Sequence, residues 1–358
     1  TAASLVQTAG SGTTTLNGAV NTNTAAGVNI ANETISVNNS ITTTNAGIVT
    51  LNANTAGLTI ASLGDITSGG AVNLTGAMGI STAGNVTTSG ALVNYNSATT
   101  LTGGILIDTT NAGGSAAGGT VTFSSTLDGG QSLGITAGTA GDVIFSGAVG
   151  GSTRLGAMTI TSANDVTANA ITAASLVQTA GSGTTTLNGA VNTNTATGVN
   201  LSTANITLGA ITIDTSAGNG VARFNAPTLL GVGDVTVTAG SGDITFENTL
   251  NGGYALTLSS AGTERFNGAV GGTMALTSIT TDAPGTVEFN GGSVKTSGAQ
   301  TYNDAAVLVS DTSIDTTGGS SGGNNVNFAS TLNGGQSLGI TAGTAGDVIF
   351  SGAVGGST

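Results

Sequence analysis

The chain has 358 residues and a formal net charge of −13, and only 6% of its residues are charged. It contains 61 glycines but no cysteine and no histidine, which excludes a disulfide framework, thiol chemistry and histidine-dependent catalysis. Its four basic residues are too few to offset a row of phosphate groups, so we expect no nucleic-acid partner.

The remaining composition favours β structure. An ordinary globular domain carries about 25% charged residues, whereas this chain must cover its surface with Thr, Ser and Asn. Disordered chains are rich in charge and proline, but this chain has two prolines and abundant Thr, Val and Ile. The sequence contains no run of about 18 apolar residues, so we expect no membrane insertion. The composition therefore predicts an all-β protein.

Long internal repeats organise the sequence. Residues 1–29 recur as 172–200, and residues 125–153 recur as 330–358, each with one substitution. The two pairs have different offsets along the chain, so the copies do not come from one simple tandem duplication. We expect residues 1–358 to form one continuous β-solenoid that is a window of a longer repeat array.

A shorter motif of nine or ten residues recurs within these repeats, and its clearest copy spans residues 141–149. The pattern is Gly, any residue, an apolar residue or Thr, any residue, and then Phe or Leu. Small and polar residues follow, as is typical of turns. We interpret each copy as one strand of a solenoid coil. In chain order the copies span residues 12–20, 47–55, 70–78, 119–127, 141–149, 183–191, 242–250, 262–270, 285–294 and 346–354.

The spacing of the central Phe or Leu predicts the length of a coil. The spacing from Phe123 to Phe145 recurs closely between most neighbouring copies. The intervals from Phe145 to Leu187 and from Phe289 to Phe328 are nearly twice as long, so we interpret each of them as two coils. The spacing thus predicts about 17 coils of about 21 residues.

Alternation within the motif predicts which side chains face the core. Val143 and Phe145 point to one side of a strand, while Ile144 and Ser146 point to the other. Coiling stacks each strand in parallel about 4.8 Å from its equivalent, so inward side chains form ladders. The predicted core-ladder residues are Leu16, Leu51, Leu74, Phe123, Phe145, Leu187, Phe224, Phe246, Phe266, Phe289, Phe328 and Phe350.

The residue patterns of three segments resemble those of a known family. These segments are Phe-Asn-Gly-Ala-Val-Gly-Gly at 266–272, the Thr-rich stretch at 276–283 and the motif copy within 285–304. They resemble the repeats of filamentous-haemagglutinin-like, β-strand-repeat bacterial exoproteins. The resemblance implies a right-handed parallel β-helix, a secreted or cell-surface location, and a role in adhesion, cell contact or extracellular matrix.

The expected function is that of a structural or adhesive surface filament. No polar caps are visible at the solenoid ends, and exposed strand edges favour end-to-end or lateral self-association. Surface glycans of a host or neighbouring cell are the other expected partners. The alternative functions are a carbohydrate-binding or carbohydrate-cleaving β-helix and a calcium-stabilised repeat domain.

Loose carboxylate pairs offer the nearest approach to a catalytic site. Asp311 with Asp315, or Asp304 with Asp311, would supply the two acids of a glycosidase. The alternative, which we favour, is that these residues are solvated turn residues. No serine has a histidine partner, since the chain lacks histidine. We therefore expect the protein not to be an enzyme.

Calcium is the cofactor that the sequence most nearly suggests. Asp65, Asp142, Asp234, Asp243 and Asp347 each follow a glycine at the start of a coil. A calcium site needs 6–8 oxygen ligands, and the calcium-binding nonapeptide of β-roll repeats is absent. The alternative is an Asx turn at the start of each strand, so we expect no cofactor.

A mixed-sign group of charges surrounds four successive Phe residues. Its members are Arg223, Glu247, Glu264, Arg265, Glu288 and Lys295. Arg223, Thr245, Arg265 and Glu288 directly precede a Phe, so we expect them to stack on the outer face. Exposed ion pairs worth about 0–1 kcal/mol each are the favoured interpretation, and a binding patch is the alternative.

Asparagine follows the central Phe or Leu at five positions. Stacked Asn side chains form hydrogen bonds along the axis of cross-β ladders. We therefore interpret these residues as a device for stability rather than a ligand site. They are Asn17, Asn188, Asn225, Asn267 and Asn290.

Overall fold

The computed structural model describes residues 1–356. Within that range the chain forms short strands, a 3₁₀ turn at Ser216–Gly218 and no α-helix. The strands build an all-β parallel solenoid of about 16 turns that are about 22 residues apart. The predicted fold class is therefore confirmed, with a turn slightly longer than expected.

Contacts divide the chain into two compact units. Unit 1 comprises residues 1–174 and 178–184, and unit 2 comprises residues 175–177 and the chain from Thr185 onward. Strand β22 (Ile171–Gln178) has residues in both units. In the part of the chain that the structure describes, no helix has the length and apolar character needed to cross a membrane.

The other strands of unit 1 are β1 (Leu5–Gln7), β2 (Thr13–Leu16), β3 (Val20–Thr22), β4 (Val28–Asn32), β5 (Thr34–Val37), β6 (Ile41–Thr43), β7 (Val49–Ala53), β8 (Leu58–Ile60), β9 (Ile66–Ser68), β10 (Val72–Gly76), β11 (Ile80–Thr82), β12 (Val86–Thr88), β13 (Val93–Tyr95), β14 (Thr99–Leu101), β15 (Ile105–Asp108), β16 (Val121–Phe123), β17 (Leu127–Asp128), β18 (Leu133–Thr136), β19 (Val143–Phe145), β20 (Leu155–Ser162) and β21 (Val166–Ala168).

The strands that follow β22 are β23 (Thr184–Leu187), β24 (Val191–Thr193), β25 (Val199–Leu201), β26 (Asn205–Leu208), β27 (Thr212–Asp214), β28 (Ala222–Phe224), β29 (Thr228–Leu230), β30 (Val235–Gly240), β31 (Ile244–Phe246), β32 (Leu250–Asn251), β33 (Ala255–Ser260), β34 (Thr263–Phe266), β35 (Ser278–Thr280), β36 (Thr286–Phe289), β37 (Ser293–Lys295), β38 (Gln300–Tyr302), β39 (Ala305–Leu308), β40 (Thr312–Asp315), β41 (Val326–Phe328), β42 (Leu332–Asn333), β43 (Leu338–Thr341) and β44 (Val348–Phe350).

A typical turn contributes three strands, and equivalent strands of successive turns stack in parallel as a row. In unit 1 the rows begin β1-β4-β7, β2-β5-β8 and β3-β6-β9. In unit 2 one row runs β25-β28-β31-β34-β36-β39-β42, and a second runs β24-β27-β30-β33-β35-β38-β41-β44. The core lies between the rows, so most strands alternate buried inward residues with partly exposed outward residues, as β19 does.

The alternation of inward and outward side chains, together with glycine at the corners, explains how the chain coils. In β19 the inward residues Val143 and Phe145 are buried, and the amide of Val143 donates to the Asp165 carbonyl at 2.8 Å. At the corner before β16, Gly118 has φ of 66°. A Cβ at Gly118 would lie 1.8 Å from the Ala137 carbonyl oxygen, so the turns approach closely only because glycine lacks one.

Candidate functional site

The predicted core residues of unit 1 share one ladder, with one exception. In register order this ladder runs Ile30, Leu51, Leu74, Tyr95, Phe123 and Phe145. All six are buried, and the ring centroids of Phe123 and Phe145 stack 5.4 Å apart. Leu16 lies in a different row beside Val37, because β2 pairs with β5.

The predicted core residues of unit 2 divide among rows. One ladder runs Leu201, Phe224, Phe246, Phe266, Phe289 and Leu308, and its successive Phe rings stack with centroids 4.8–6.3 Å apart. Phe328 and Phe350 lie in another row and stack in line with Tyr302. Leu187 is buried on β23, beside β26 in a third row.

The interpretation of the Phe289–Phe328 spacing as two coils of one ladder is wrong. Phe289 pairs with Leu308 of the following turn, whereas Phe328 pairs with Tyr302 of the preceding turn, which belongs to a different row. The motif has therefore moved to another side of the coil. Because the turns differ in length, equal spacing along the sequence does not guarantee the same row.

The outer face of unit 2 carries the expected row of charges. Arg223, Thr245, Arg265 and Glu288 are in register on successive strands, as predicted. The Arg265 guanidinium donates to an Asp243 oxygen at 2.6 Å and to a Glu288 oxygen at 2.8 Å. Arg223 pairs with Glu247, and Lys295 lies 3.7 Å from Asp315.

These ion pairs change the acidity of their members. Burial by itself would raise the pKa of Asp243, but hydrogen bonds from Arg265 and the Thr263 amide, together with the Arg265 charge, lower it. The Asp243 hydrogen bond and the Glu288 contact raise the pKa of Arg265. The group is a partly exposed ionic network, in which each pair is worth about 0–1 kcal/mol.

Glu264 was expected among these exposed charges, and this expectation is wrong. Its side chain points inward and is 0% exposed, in register between Ile244 and Val287. Alternation explains the difference, because Glu264 lies two residues before Phe266 and therefore faces the same side of β34.

Glu264 belongs to a cluster of three carboxylates in unit 2, which we call the acidic triad. Its other members are Asp282, just after β35, and Asp304, just before β39. One carboxylate oxygen from each residue lies within 4.8 Å of the other two. Asp304 is only 1% exposed, while Asp282 is half-buried. Carboxylate oxygens in this arrangement could hold a hard cation such as Ca²⁺.

The triad residues differ in how their oxygens are satisfied. Asp282 accepts hydrogen bonds from the Ser259 hydroxyl and the Ser260 amide, both at 2.8 Å. The carboxylate oxygens of Glu264 and of Asp304 are buried and make no well-formed hydrogen bond, although the Ser260 amide lies near Glu264 and the Thr281 hydroxyl lies near Asp304. Burial leaves these four oxygens without water, so the two side chains demand another form of compensation.

Burial and like charge raise the pKa values of two triad members. Burial, followed by the neighbouring Asp304 carboxylate and the Asp282 charge, raises the pKa of Glu264 to about 10, although the nearby Ser260 amide acts in the opposite direction. Burial is also the main cause of the raised pKa of Asp304. At neutral pH the Glu264 carboxyl therefore holds a proton unless a cation replaces it.

A glycine makes room for the Asp304 carboxylate. Asp304 precedes Ala305, which pairs with Thr286, so it is aligned with Gly285 one turn earlier. A Cβ at Gly285 would lie 2.6 Å from Asp304 Oδ1, 2.3 Å from the Ser260 carbonyl oxygen and 3.2 Å from the Gly262 carbonyl oxygen. Three oxygens thus converge where a side chain is missing.

The sequence contains one overlooked signal for this site. Glu264 occupies the motif position that holds an apolar residue or Thr in the other copies, for example Val143. A carboxylate at an inward position requires a partner in the fold. Nothing in the sequence identifies Asp282 and Asp304 as its neighbours, because they come from other turns.

The aspartates at coil entries serve the backbone of the next turn. Asp65 accepts from the Asn85 amide at 2.7 Å, Asp142 from the Asp165 amide at 3.1 Å, and Asp234 from the Ala255 amide at 2.9 Å. Of the residues that the structure describes, a single group of three acidic side chains is close enough to share a metal ion. It includes none of these aspartates, and neither Asp243 nor Asp347.

The carboxylates of the loose catalytic pairs have separate surroundings. Asp311 accepts from the Ser337 amide at 2.8 Å. Burial would raise the pKa of Asp315, but bonds from Thr317 and the nearby Lys295 lower it. Asp304 belongs to the acidic triad.

Four of the asparagine residues after the central Phe or Leu bond along the stack, namely Asn17, Asn225, Asn267 and Asn290. Asn290 donates to Asn267 Oδ1 at 2.5 Å, and Asn225 donates to Asn200 Oδ1 at 2.8 Å. In unit 1, Asn38 donates to Asn17 Oδ1 at 2.8 Å. These bonds join successive turns on the outer surface, as a stabilising ladder requires.

Comparison with known proteins does not place the chain in a family. No family model matches it, and no curated protein or solved structure is significantly similar to it. The fold itself is that of a β-helix repeat protein, which agrees with the coarse part of the resemblance.

Proposed function

We propose that the protein is a structural or adhesive component of a bacterial surface, secreted or displayed on the cell, and not an enzyme. It is of the filamentous-haemagglutinin-like, β-strand-repeat kind. Its partners are other copies of itself, joined end to end or laterally into a filament, and the surface glycans of a host or neighbouring cell.

The observation that carries the proposal is the continuity of the ladders within each unit. Six consecutive turns of unit 1 place a buried apolar or aromatic side chain at the same inward position, from Ile30 to Phe145. Each turn contacts chiefly its neighbours, so length is gained without a new core. Such a design provides reach and stiffness, which are the properties that a surface filament needs.

Electron microscopy and light scattering of the purified chain test this function. We expect filaments that lengthen with concentration. A chain that stays monomeric and binds neither cells nor a glycan array would contradict the proposal, and turnover of a polysaccharide would favour the carbohydrate-cleaving alternative.

A further inference from the structure

The acidic triad places more negative charge in one buried spot than its surroundings can offset. Its three carboxylates come from different turns, yet their oxygens lie within 4.8 Å of one another. The basic residues of unit 2 do not help. Arg223, Arg265 and Lys295 each pair with a carboxylate outside the triad. Neutralisation must therefore come from protons or from a bound cation.

We propose that Glu264, Asp282 and Asp304 form a binding site for one calcium ion. The second observation behind this assignment is the state of the buried oxygens. Glu264 is fully buried, and neither of its oxygens makes a well-formed hydrogen bond. Its register neighbours are Ile244 and Val287, which offer no polar group. A cation between the carboxylates would satisfy the Glu264 and Asp304 oxygens together.

The number and type of nearby oxygens fit calcium. Ca²⁺ takes 6–8 oxygen ligands in flexible geometry, whereas Mg²⁺ demands an octahedron and retains several waters. Three carboxylates offer up to six oxygens, and the Ser260 and Gly262 carbonyls converge with Asp304 Oδ1 beside Gly285. Two of the carboxylates are buried, which leaves little space for retained water. The half-buried Asp282 provides the side from which an ion enters.

Cation binding at this site must release a proton. Three carboxylates whose oxygens lie within 4.8 Å of one another do not all ionise without a cation, because like charges so close together disfavour ionisation. Binding converts the carboxylic acid and Ca²⁺ into a calcium-bound carboxylate and a free proton, which balances charge and atoms. Affinity should then rise about tenfold for each pH unit while one proton is released.

Isothermal titration of Ca²⁺ into the chelator-treated full chain tests the proposal. Repeating the titration at pH 7.5 in two buffers of different ionisation enthalpy measures the protons released. We expect one saturable site, release of about one proton, and tighter binding at pH 8.5. We also expect at least tenfold weaker binding of Mg²⁺, and a higher melting temperature with Ca²⁺ than with chelator.

Variants locate the site. Glu264→Gln and Asp304→Asn keep the side-chain shape and should abolish this binding. The matched control Asp347→Asn removes one charge from an exposed position of unit 2 and should leave binding unchanged. Should Glu264→Gln fail to fold by circular dichroism, the half-buried Asp282→Asn takes its place. Undiminished binding in the folded triad variants would overturn the proposal. So would no saturable binding by the original chain, which would leave the triad as carboxyl groups that share protons. Equal affinity for Mg²⁺ would overturn the assignment to calcium.

Discussion

Two copies of the same motif, one in each unit, bury different chemistry at the same place. In unit 1, Val143 lies in register between Val121 and Val166. In unit 2, the equivalent Glu264 lies between two apolar residues in the same way. Both are 0% exposed. The ladder therefore fixes the backbone and the direction of the side chain, while neighbouring turns determine whether a carboxyl group is tolerated.

The outward positions of the two copies also differ, but at lower cost. In unit 1 this row includes Asn73 and Asn94, joined at 2.9 Å, and then Thr122 and Ile144. In unit 2 the corresponding row carries Arg265 and other charges. Since outward side chains reach solvent, their chemistry varies freely. A change of side chain should therefore affect stability strongly at an inward ladder position and only weakly at an outward position.

Placing a carboxylate at an inward ladder position of unit 1 gives the largest expected loss of stability. Val143→Glu puts an acid between the buried apolar side chains of Val121 and Val166. We expect a loss of about 4–5 kcal/mol in the free energy of opening at pH 8, because an apolar site raises a carboxyl pKa by about 3–5 units. Amide hydrogen exchange of β16, β19 and β21 measures the loss.

The neighbouring Ile144 provides the matched control for Val143→Glu. Ile144→Glu introduces the same group on the outward side of the same strand. We expect it to cost less than about 1 kcal/mol, since the charge stays hydrated. Equal losses in the free energy of opening for Val143→Glu and Ile144→Glu would contradict the idea that the inward ladder position of unit 1 rejects a carboxyl group.

The pH dependence of unit 2 gives the next largest effect. Glu264 has an ordinary pKa of 4.5 and a folded value of about 10, so the folded state holds more protons between these limits. Stability is therefore greatest below pH 4.5 and falls as pH rises towards 10. With chelator present, we expect Glu264→Gln to gain about 1–3 kcal/mol relative to the original chain between pH 5 and 7.

Hydrogen exchange of β34 and β36, corrected for intrinsic rates, measures this pH dependence. The unit 1 strands β16 and β19 serve as the internal control, because their inward ladder holds no acid. Parallel pH profiles for the original chain and Glu264→Gln would mean that the Glu264 carboxyl is not buried in solution. Calcium should flatten the profile of the original chain alone.

Sequence reasoning succeeds where a single strand decides the outcome. Alternation predicts that Phe145 faces inward and that Arg265 and Glu288 stack outward, because these follow from the period of two. It fails for Phe328, since the row depends on the lengths of intervening turns. The contact of Glu264 with Asp304 joins side chains that are distant in the sequence. Predicting this contact requires the register between neighbouring turns. A departure from the motif shows that Glu264 needs a partner, but it does not show which.

Replacing Arg265, the basic residue at the centre of the outer row of charges, gives the smallest expected effect on stability. Arg265→Gln loses the bonds to Asp243 and Glu288 but keeps most of the side-chain stem. We expect a loss of about 0.5–1 kcal/mol at low salt, since these groups are only partly buried. In 1 M NaCl the Debye length is about 3 Å, so the loss should shrink. The pKa of Asp243 should return towards its ordinary value, because the arginine that lowers it is gone.

The sign of the acid dependence separates this charge network from the triad. The lowered pKa of Asp243 contributes stability above its ordinary value of 3.8, and that stability is lost as pH falls through the folded value. The network therefore weakens in acid, whereas Glu264 weakens unit 2 as pH rises. Urea titrations of Arg265→Gln and Glu288→Gln, singly and combined, measure the coupling at both salt concentrations. A loss above about 2 kcal/mol that persists in 1 M NaCl would show that Arg265 acts through the packing of its stem, and that the outer row matters as much as the inner ladder.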